Sequence, residues 1–537
     1  MISIPLSKFM MSVSEFMILF LWVWSGFSFS LAKRFFKLGG FIKGSVHFVK
    51  YFLNLAYTNL IDKFKLFFQN KAAVVFALIY LMHVLGSAMS SDMDYTLKEL
   101  RVKLPLLLFP VVFSTTQRMK YRQFRILMLF YVMAVFAGTL VSLYLLISKD
   151  FMDIREISPF ISSIRFGLNI SFAFFVLLYF ILADHKFSLW VKVFFVALSL
   201  WLLVFIVLIE SVTSFTIILF MSLGLLIWNM IRSRRLMYKV LILLLIALIP
   251  ATLVYKISDT VKKATTAPSI VVSQLDKVTA NGNKYMHDTI SRKIEDGRYV
   301  GIYICEPELK KAWNERSKKK FNELDQDGNS IKEGLIRYMT SRDLRKDYEG
   351  VYKLSEWDIK MIENGCANVN YIKNPGFKTR ILKIIKGYEV YKLTGNPSGS
   401  SVMQRLEYLK ASLAVIKENW AFGVGTGDLE KALYKQYDKM KSQLKNEFRY
   451  HAHNQYFAIF IAFGVIGFAI FITALLYPAF KTNSFTDYFF SVFFMIMTIS
   501  MLSDDTLETQ AGVTLFAFFY SFLMFGKNRA NAWKFIF

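Results

Sequence analysis

Apolar runs of roughly 17 to 25 residues recur along the chain, the length that a bilayer's hydrocarbon core of about 30 Å asks of a helix. The clearest are 9–32, 73–89, 126–147, 166–183, 187–209, 215–231, 236–255, 457–480, 488–502 and 511–525, with a shorter run at 104–114. A further stretch, 46–61, is apolar but carries Lys50; it reads either as one more span or as an amphipathic helix lying in the interface. The first run lacks a small-residue cleavage site, so it reads as a span and not as a removable signal. Together these runs predict an all-α polytopic membrane protein with about eleven or twelve transmembrane helices. The long polar interval between the seventh and eighth of the long runs predicts one large, mostly helical loop.

Composition agrees with that pattern. Of 537 residues, 55% are hydrophobic and 17% aromatic, too apolar for an ordinary soluble enzyme of this length. The formal charge of +26 would suggest nucleic acid in a soluble protein, yet here it follows the membrane. Arg118, Lys120, Arg122 and Arg125 flank one short connection, Arg232, Arg234, Arg235 and Lys239 another, and Lys527, Arg529 and Lys534 lie in the C-terminal tail. The positive-inside rule makes all three cytoplasmic. The alternate connections then face out, among them 503–510, where Asp504, Asp505 and Glu508 stand without a base. The expected organisation is an N-terminal span plus a basic segment over 1–72, a first part of the bundle over 73–255, the extracytoplasmic loop over 256–448, and the last three spans with the tail over 449–537.

The outer segment holds 35 Lys and Arg against 25 Asp and Glu, which suits either a solvated domain near anionic head groups or a surface that receives a phosphorylated substrate. Cys305 and Cys366, the two cysteines of the chain, both fall in it, so an oxidising compartment would permit a disulfide between them. The cluster Glu323, Asp325, Asp327, Gly328, Asn329 resembles part of a calcium loop but lacks the glutamate at the twelfth position, and reads as a turn. A turn-rich stretch over 394–401 precedes a helix with Leu406, Leu409, Leu413, Ile416 and Trp420 on one face and Arg405 near its first turn. Free amides at a helix start attract anions, so Arg405 is either a diphosphate ligand or a surface arginine. Next comes Gly423-Val424-Gly425-Thr426-Gly427. It follows a helix and has the wrong spacing for a dinucleotide loop, and predicts a tight turn between helices.

The densest chemistry lies in Arg449-Tyr450-His451-Ala452-His453-Asn454-Gln455, where the polar segment ends and an apolar run begins. Histidine ordinarily titrates near neutrality, so it can take a proton from a hydroxyl and return it. His453 is the candidate base. Asn454 caps the helix or orients the imidazole, and His451 is either a solvated neighbour or a second participant. Glu210, ionisable at the edge of a span, is a further candidate.

Gln404-Arg405 opening a helix, Trp420, the turn over 423–427, then His453-Asn454-Gln455-Tyr456-Phe457 entering a span with Gly464 and Gly467 together resemble the O-antigen ligase family of bacterial envelope proteins, which includes O-antigen polymerases. The resemblance implies a twelve-span glycosyltransferase of the inner membrane, acting on its outer face, with the large loop in the periplasm. It implies transfer of a polysaccharide from undecaprenyl diphosphate to the lipid A core or to a growing glycan, with no cofactor, no required metal and no nucleic acid partner. Residue by residue, it makes His453 the base and Arg405 a diphosphate ligand; the growing charge on a leaving diphosphate asks for further cations, which Arg449 or Arg165 can supply. The sequence departs from the family where a Ser-Arg pair usually ends a middle span: here the chain reads Glu210-Ser211-Val212-Thr213-Ser214, and Arg165 is the nearest candidate to replace the missing charge. A flippase or transporter for the same lipid-linked sugar is the competing class; it calls for charges deep within spans and for internal repeats, and neither is evident. Ligase and polymerase share their chemistry and differ in acceptor, which these residues do not encode.

Overall fold

The computed structural model describes all residues except 150–153, 233–235, 291–292, 327, 374–376, 450–451 and 529–537. The protein is 73% helical, and its one sheet among the described residues is the two-stranded antiparallel pair Ile294–Glu295 and Arg298–Tyr299. The all-α polytopic architecture is therefore as expected. Five helices among the described residues are long and apolar enough to cross a membrane: Tyr121–Ser148, Ser163–Leu182, Leu189–Leu208, Lys239–Thr265 and Gln455–Lys481, with a bent pair as a possible sixth. The sequence count of eleven or twelve also includes apolar runs that form shorter helices. Pro105–Thr115 has 11 residues, about 16 Å of helix; Tyr488–Ser500 has 13.

These short helices are apolar because they are enclosed. Every residue from Ala511 to Ser521 is buried, and Phe516, Phe518, Phe519 and Tyr520 pack against aromatic rings of neighbouring helices, with Phe76 and Tyr520 stacked at 4.1 Å between centroids and Phe172 edge-on to Phe519 at 5.0 Å. Offset and edge-to-face pairs of this kind each add about 0.5–1.5 kcal/mol beyond burial. Helix Leu189–Leu208, by contrast, presents Leu189, Trp190, Phe194 and Leu200 outward, as a lipid-facing helix should.

The N-terminal region corrects the sequence reading. The expected single span over 9–32 is broken: helix Lys8–Val23 ends, the chain turns through Gly26 at φ 85°, and a new helix, Phe29–Gln69, begins. The break is stabilised from that second helix, where Asn59 Nδ2 donates to the carbonyls of Val23 and Ser25 at 2.8 and 2.9 Å and Lys63 donates to the Trp22 carbonyl and to Ser25 Oγ. Carbonyls left open at a helix end are thus capped by polar side chains. From Ser45 to Gln69 the second helix meets Lys71–Ser87 at 98°. Its residues Val46, Val49, Leu53, Tyr57, Phe64 and Phe68 recur at helical spacing and are exposed. The stretch 46–61 thus lies within one helix that carries an exposed apolar stripe beside Lys50 and Lys65.

The long polar segment divides in packing. Residues 304–369 surround a core of their own, built on Trp313, Leu335, Tyr338, Met339 and Ile359. Helices Ser401–Glu418 and Leu429–Lys439 instead join the main core through Tyr408, Val415, Leu433 and Tyr437.

That second part reaches the bundle through a backbone crossing. The span Gln455–Lys481 is interrupted at Gly464, at φ 61° and ψ −164°. Helix carbonyls and amides freed by such a break need partners inside a membrane protein, and the glycine turn supplies them. Val424 N donates to Ile461 O at 2.9 Å, Gly425 N to Ala462 O at 2.8 Å, and Val465 N to Trp420 O at 2.8 Å. A Cβ on Gly464 would lie 2.3 Å from the Ala421 carbonyl, and one on Gly423 2.4 Å from that of Ala462. The turn expected from the sequence is present, and it is also the plug of a broken span. Gly464→Ala should destabilise the protein by more than about 2 kcal/mol, since a Cβ meets rigid backbone at a left-handed position; thermal melts in detergent check this, and an unchanged midpoint would contradict it.

Candidate functional site

The broken span starts at the site. Asn454 is its N-cap, with Oδ1 accepting from Phe457 N at 3.1 Å and Nδ2 donating to Leu502 O at 2.8 Å, so one amide both caps the helix and ties it to the connection over 501–509. Gln455 repeats that link: its backbone N–H donates to Met501 O at 2.9 Å, its Oε1 accepts from Leu507 N at 2.6 Å, and its Nε2 donates to Glu508 Oε1 at 2.9 Å. Glu508 in turn accepts from Lys103 at 2.7 Å, and Lys103 also pairs with Glu99. Burial pushes the Glu508 carboxyl up, but the Lys103 ammonium and its hydrogen bonds outweigh burial and hold it well below the usual carboxylate range. The short acidic connection is thereby clamped on one side by a buried ion pair and on the other by the first turn of a span.

That clamp presents Asp504 to His453. His453 sits at φ 46°, in the left-handed region that histidine enters more readily than most residues. Its ring is stacked on Tyr408 from helix Ser401–Glu418, with centroids 4.8 Å apart and planes at 21°, and the Tyr408 hydroxyl donates to Phe448 O at 2.8 Å. The imidazole Nδ1 faces Asp504 Oδ1 at 3.7 Å, beyond hydrogen-bond length but close enough for charge coupling. On its other side Asp504 Oδ2 meets Arg165 Nη1 at 2.9 Å. Arg165 also reaches Asp505, at 3.7 Å to Oδ1 and by a hydrogen bond to the backbone carbonyl at 3.3 Å. Asp504 has no exposed surface. Burial alone would raise its carboxyl; the Arg165 guanidinium, then His453, then Arg405 reverse this and leave it below its ordinary value.

The sequence candidates fall into three groups. His453, Arg165 and Arg405 gather around Asp504, with Arg165 buried and Arg405 half-buried. Asn454 caps the span, one of the two roles expected of it. Arg449 is engaged elsewhere: it pairs with Asp438 at 2.6 Å and donates to the Leu444 and Ser442 carbonyls at 3.0 and 3.2 Å, locking the connection before the span. Glu210, at φ 51° and buried, faces Lys383 at 3.9 Å. The neighbouring Thr213 Oγ1 lies 3.5 Å from Ser503 Oγ, so that segment borders the acidic connection. His451 lies outside the described residues. Cys305 and Cys366 are free, buried thiols, and Cys366 Sγ donates to Asn368 O at 3.2 Å. Of the calcium-like cluster, Asp327 lies outside the described residues, and Asp325 Oδ1 accepts from Asn329 N at 2.8 Å.

Asp504 and Tyr408 were not singled out by the sequence. The acidic connection 503–510 served there only to orient the chain across the membrane; its three acids without a base were the available signal. His453, Asp504 and Asp505 place ligand-type atoms within 4.8 Å of one another. The Arg165 guanidinium already meets both carboxylates.

Residues 368–472 match the family described as O-Antigen ligase. That stretch is similar to O-antigen ligases. The matched stretch takes in helix Ser401–Glu418, the glycine turn, His453 and the break at Gly464, while Arg165 and Asp504 reach it from outside. A comparison with curated proteins finds no match.

Asp504 should carry a measurable part of the fold's acid sensitivity. Its folded pKa is depressed, so its contribution is fully present above the unfolded value of about 3.9 and lost as pH falls through the folded value. Asp504→Asn should cost about 3–5 kcal/mol near neutrality, because it leaves Arg165 buried without its partner, and should flatten the decline in stability below about pH 4. Melts of both proteins between pH 3 and 7 test this; parallel curves would contradict it.

Proposed function

We propose that this protein is a membrane glycosyltransferase of the O-antigen ligase type in the bacterial inner membrane, with residues 256–448 on the periplasmic side. It moves a polysaccharide from undecaprenyl diphosphate to an acceptor such as the lipid A core. The observation that carries this reading is the convergence of His453, Asp504, Arg165 and the field of Arg405 at the end of a span whose flanking segment matches the family.

The chemistry follows from the charges. An acceptor hydroxyl must lose a proton as its oxygen attacks the anomeric carbon, and the bond from that carbon to the diphosphate oxygen breaks as negative charge grows on the leaving group. Nδ1 of His453 points at Asp504, so a proton on Nδ1 leaves Nε2 to accept the hydroxyl proton. The ionised Asp504 then stabilises the imidazolium. Arg165 keeps Asp504 charged and in place, which makes it a positioning residue. Arg405, half-buried at the opening of its helix, is the diphosphate ligand; such a contact is worth roughly 3–4 kcal/mol in a site sheltered from water. The lipid diphosphate is already an activated leaving group, so the transfer needs no nucleotide, and a single displacement inverts the sugar.

Access from lipid is supported by the same helix. Leu406, Leu409, Leu413 and Trp420, together with Phe422, are exposed on helix Ser401–Glu418 and the turn after it, an apolar stripe one residue away from Arg405. A carrier lipid lying along that stripe would bring its diphosphate to the helix start.

His453→Ala, with membrane insertion confirmed, should slow transfer from lipid diphosphate to acceptor by roughly 10²–10⁴-fold, and Arg405→Ala by about 10²-fold or more. Undiminished transfer by His453→Ala would remove the base assignment. Accumulation in a deletion strain of single repeats on lipid A, in place of finished glycan on the carrier, would identify a polymerase.

A further inference from the structure

The outer unit contains a cavity of about 630 Å³, within the usual size range of small-molecule sites, which the transfer chemistry does not use. It lies where the end of helix Leu236–Thr265 meets the hairpin Ile294–Tyr299 and the segments around Tyr303 and Lys346. That helix has 30 residues, about 45 Å, so its last turns extend past a hydrocarbon core of about 30 Å. The cavity lies outside the stretch that matches the family.

Its lining carries four basic side chains, Lys263, Arg298, Arg345 and Lys346, against two acids, Asp296 and Asp343. Most of these charges have partners. Arg298 pairs with Asp343 at 2.9 Å, Arg345 with Asp276, and Lys263 with Asp259 at 2.8 Å; Asp296 accepts from Asn368 and Asn370. Lys346 differs. It is 4% exposed, its Nζ donates to the Ile302 carbonyl at 3.2 Å, and among the described residues it forms no ion pair. Burial, with Arg298 nearby, pushes its ammonium down to about 8 despite Asp343. A buried amine with two spare donors, lining a cavity of mixed polar and apolar walls, is suited to an anion brought from outside.

The walls are built with backbone that folding alone does not favour. Asp296, Tyr303 and Asp343 all take left-handed conformations, at φ 51°, 56° and 58°. For a bulky tyrosine this is costly. It is held there by hydrogen bonds, His287 Nδ1 accepting from its N–H and its carbonyl accepting from Lys346 N, and by the Arg345 guanidinium, 4.8 Å over its ring. The result is an amphipathic aromatic wall beside a ring of cations, which matches a sugar ring bearing a carboxylate or phosphate.

We propose that this cavity binds an anionic saccharide unit, with Lys346 as the charged anchor and Tyr303 with Arg298 as the wall. The proposal rests on the glycosyltransferase reading for its ligand class: it holds a segment of the glycan away from the site of transfer. The volume suits a short stretch of sugar residues and not a whole chain.

The test uses the full chain in phosphatidylcholine nanodiscs, with oligogalacturonate as the anionic probe and a maltooligosaccharide of equal length as the neutral one. Oligogalacturonate should bind at least about tenfold tighter than the neutral probe, and Lys346→Gln should weaken it by at least about tenfold. Should Lys346→Gln fail to fold, Arg298→Gln at the exposed rim should weaken binding about threefold or more. His453→Ala should bind oligogalacturonate as the parent does while losing transfer. If His453→Ala retains transfer but Lys346→Gln still loses the probe, the cavity assignment stands and the catalytic reading falls. Equal affinity for the two oligosaccharides, insensitivity to both cavity variants, or loss of probe binding when phosphatidylglycerol replaces phosphatidylcholine would overturn the proposal, the last by assigning the cavity to a lipid head group.

Discussion

A carboxylate with no exposed surface, Asp504, sets the geometry of the protein's candidate site. An isolated charge of that kind is too costly to bury, and the structure meets the cost with two guanidinium groups and an imidazole drawn from distant parts of the sequence. Arg165 comes from the first turn of Ser163–Leu182, Arg405 from helix Ser401–Glu418, and His453 from the entrance to Gln455–Lys481. One buried acid thus forces three elements to a common point. The cations in turn keep the acid ionised, which suits it to stabilise positive charge on an imidazole.

Two further devices hold that point in place. Glu508, four residues beyond Asp504, is fixed by Lys103 and Gln455, so the acidic connection is anchored at both ends. The glycine turn enters the break at Gly464 and replaces the helix's missing hydrogen bonds with its own. The helix that carries Arg405 and Tyr408 is therefore joined to the span that follows His453 by backbone, whose position is little affected by side-chain motion. Functional groups need support of this kind if they are to stay within a fraction of an ångström of productive geometry.

Much of this was legible in the chain. Apolar runs revealed a helical membrane protein, and His453, Arg405 and the glycine turn were visible as a motif because they are close in sequence. Asp504 was not, because its role depends on a contact with residue 165, more than three hundred positions away, and no local pattern encodes that distance. Hydropathy likewise overstated single spans. The run 9–32 is apolar on average, and the side chains that stabilise its break, Asn59 and Lys63, lie on the following helix. Arg449 lies near His453 in sequence, and Asp438 and two carbonyls hold its guanidinium within its own connection. Arg165 stood out only as a stand-in for a charge missing after Glu210, and the fold brings that segment and Arg165 to the same acidic connection.

The most direct measurement is a double-mutant cycle on the rate of transfer, using Arg165→Met, Asp504→Asn and the pair in inserted, folded protein. A pair acting through His453 should be coupled by about 1–3 kcal/mol, so that losing Asp504 matters far less once Arg165 is gone. Additive losses would mean that the two side chains act independently, and the buried acid would no longer be what organises the site.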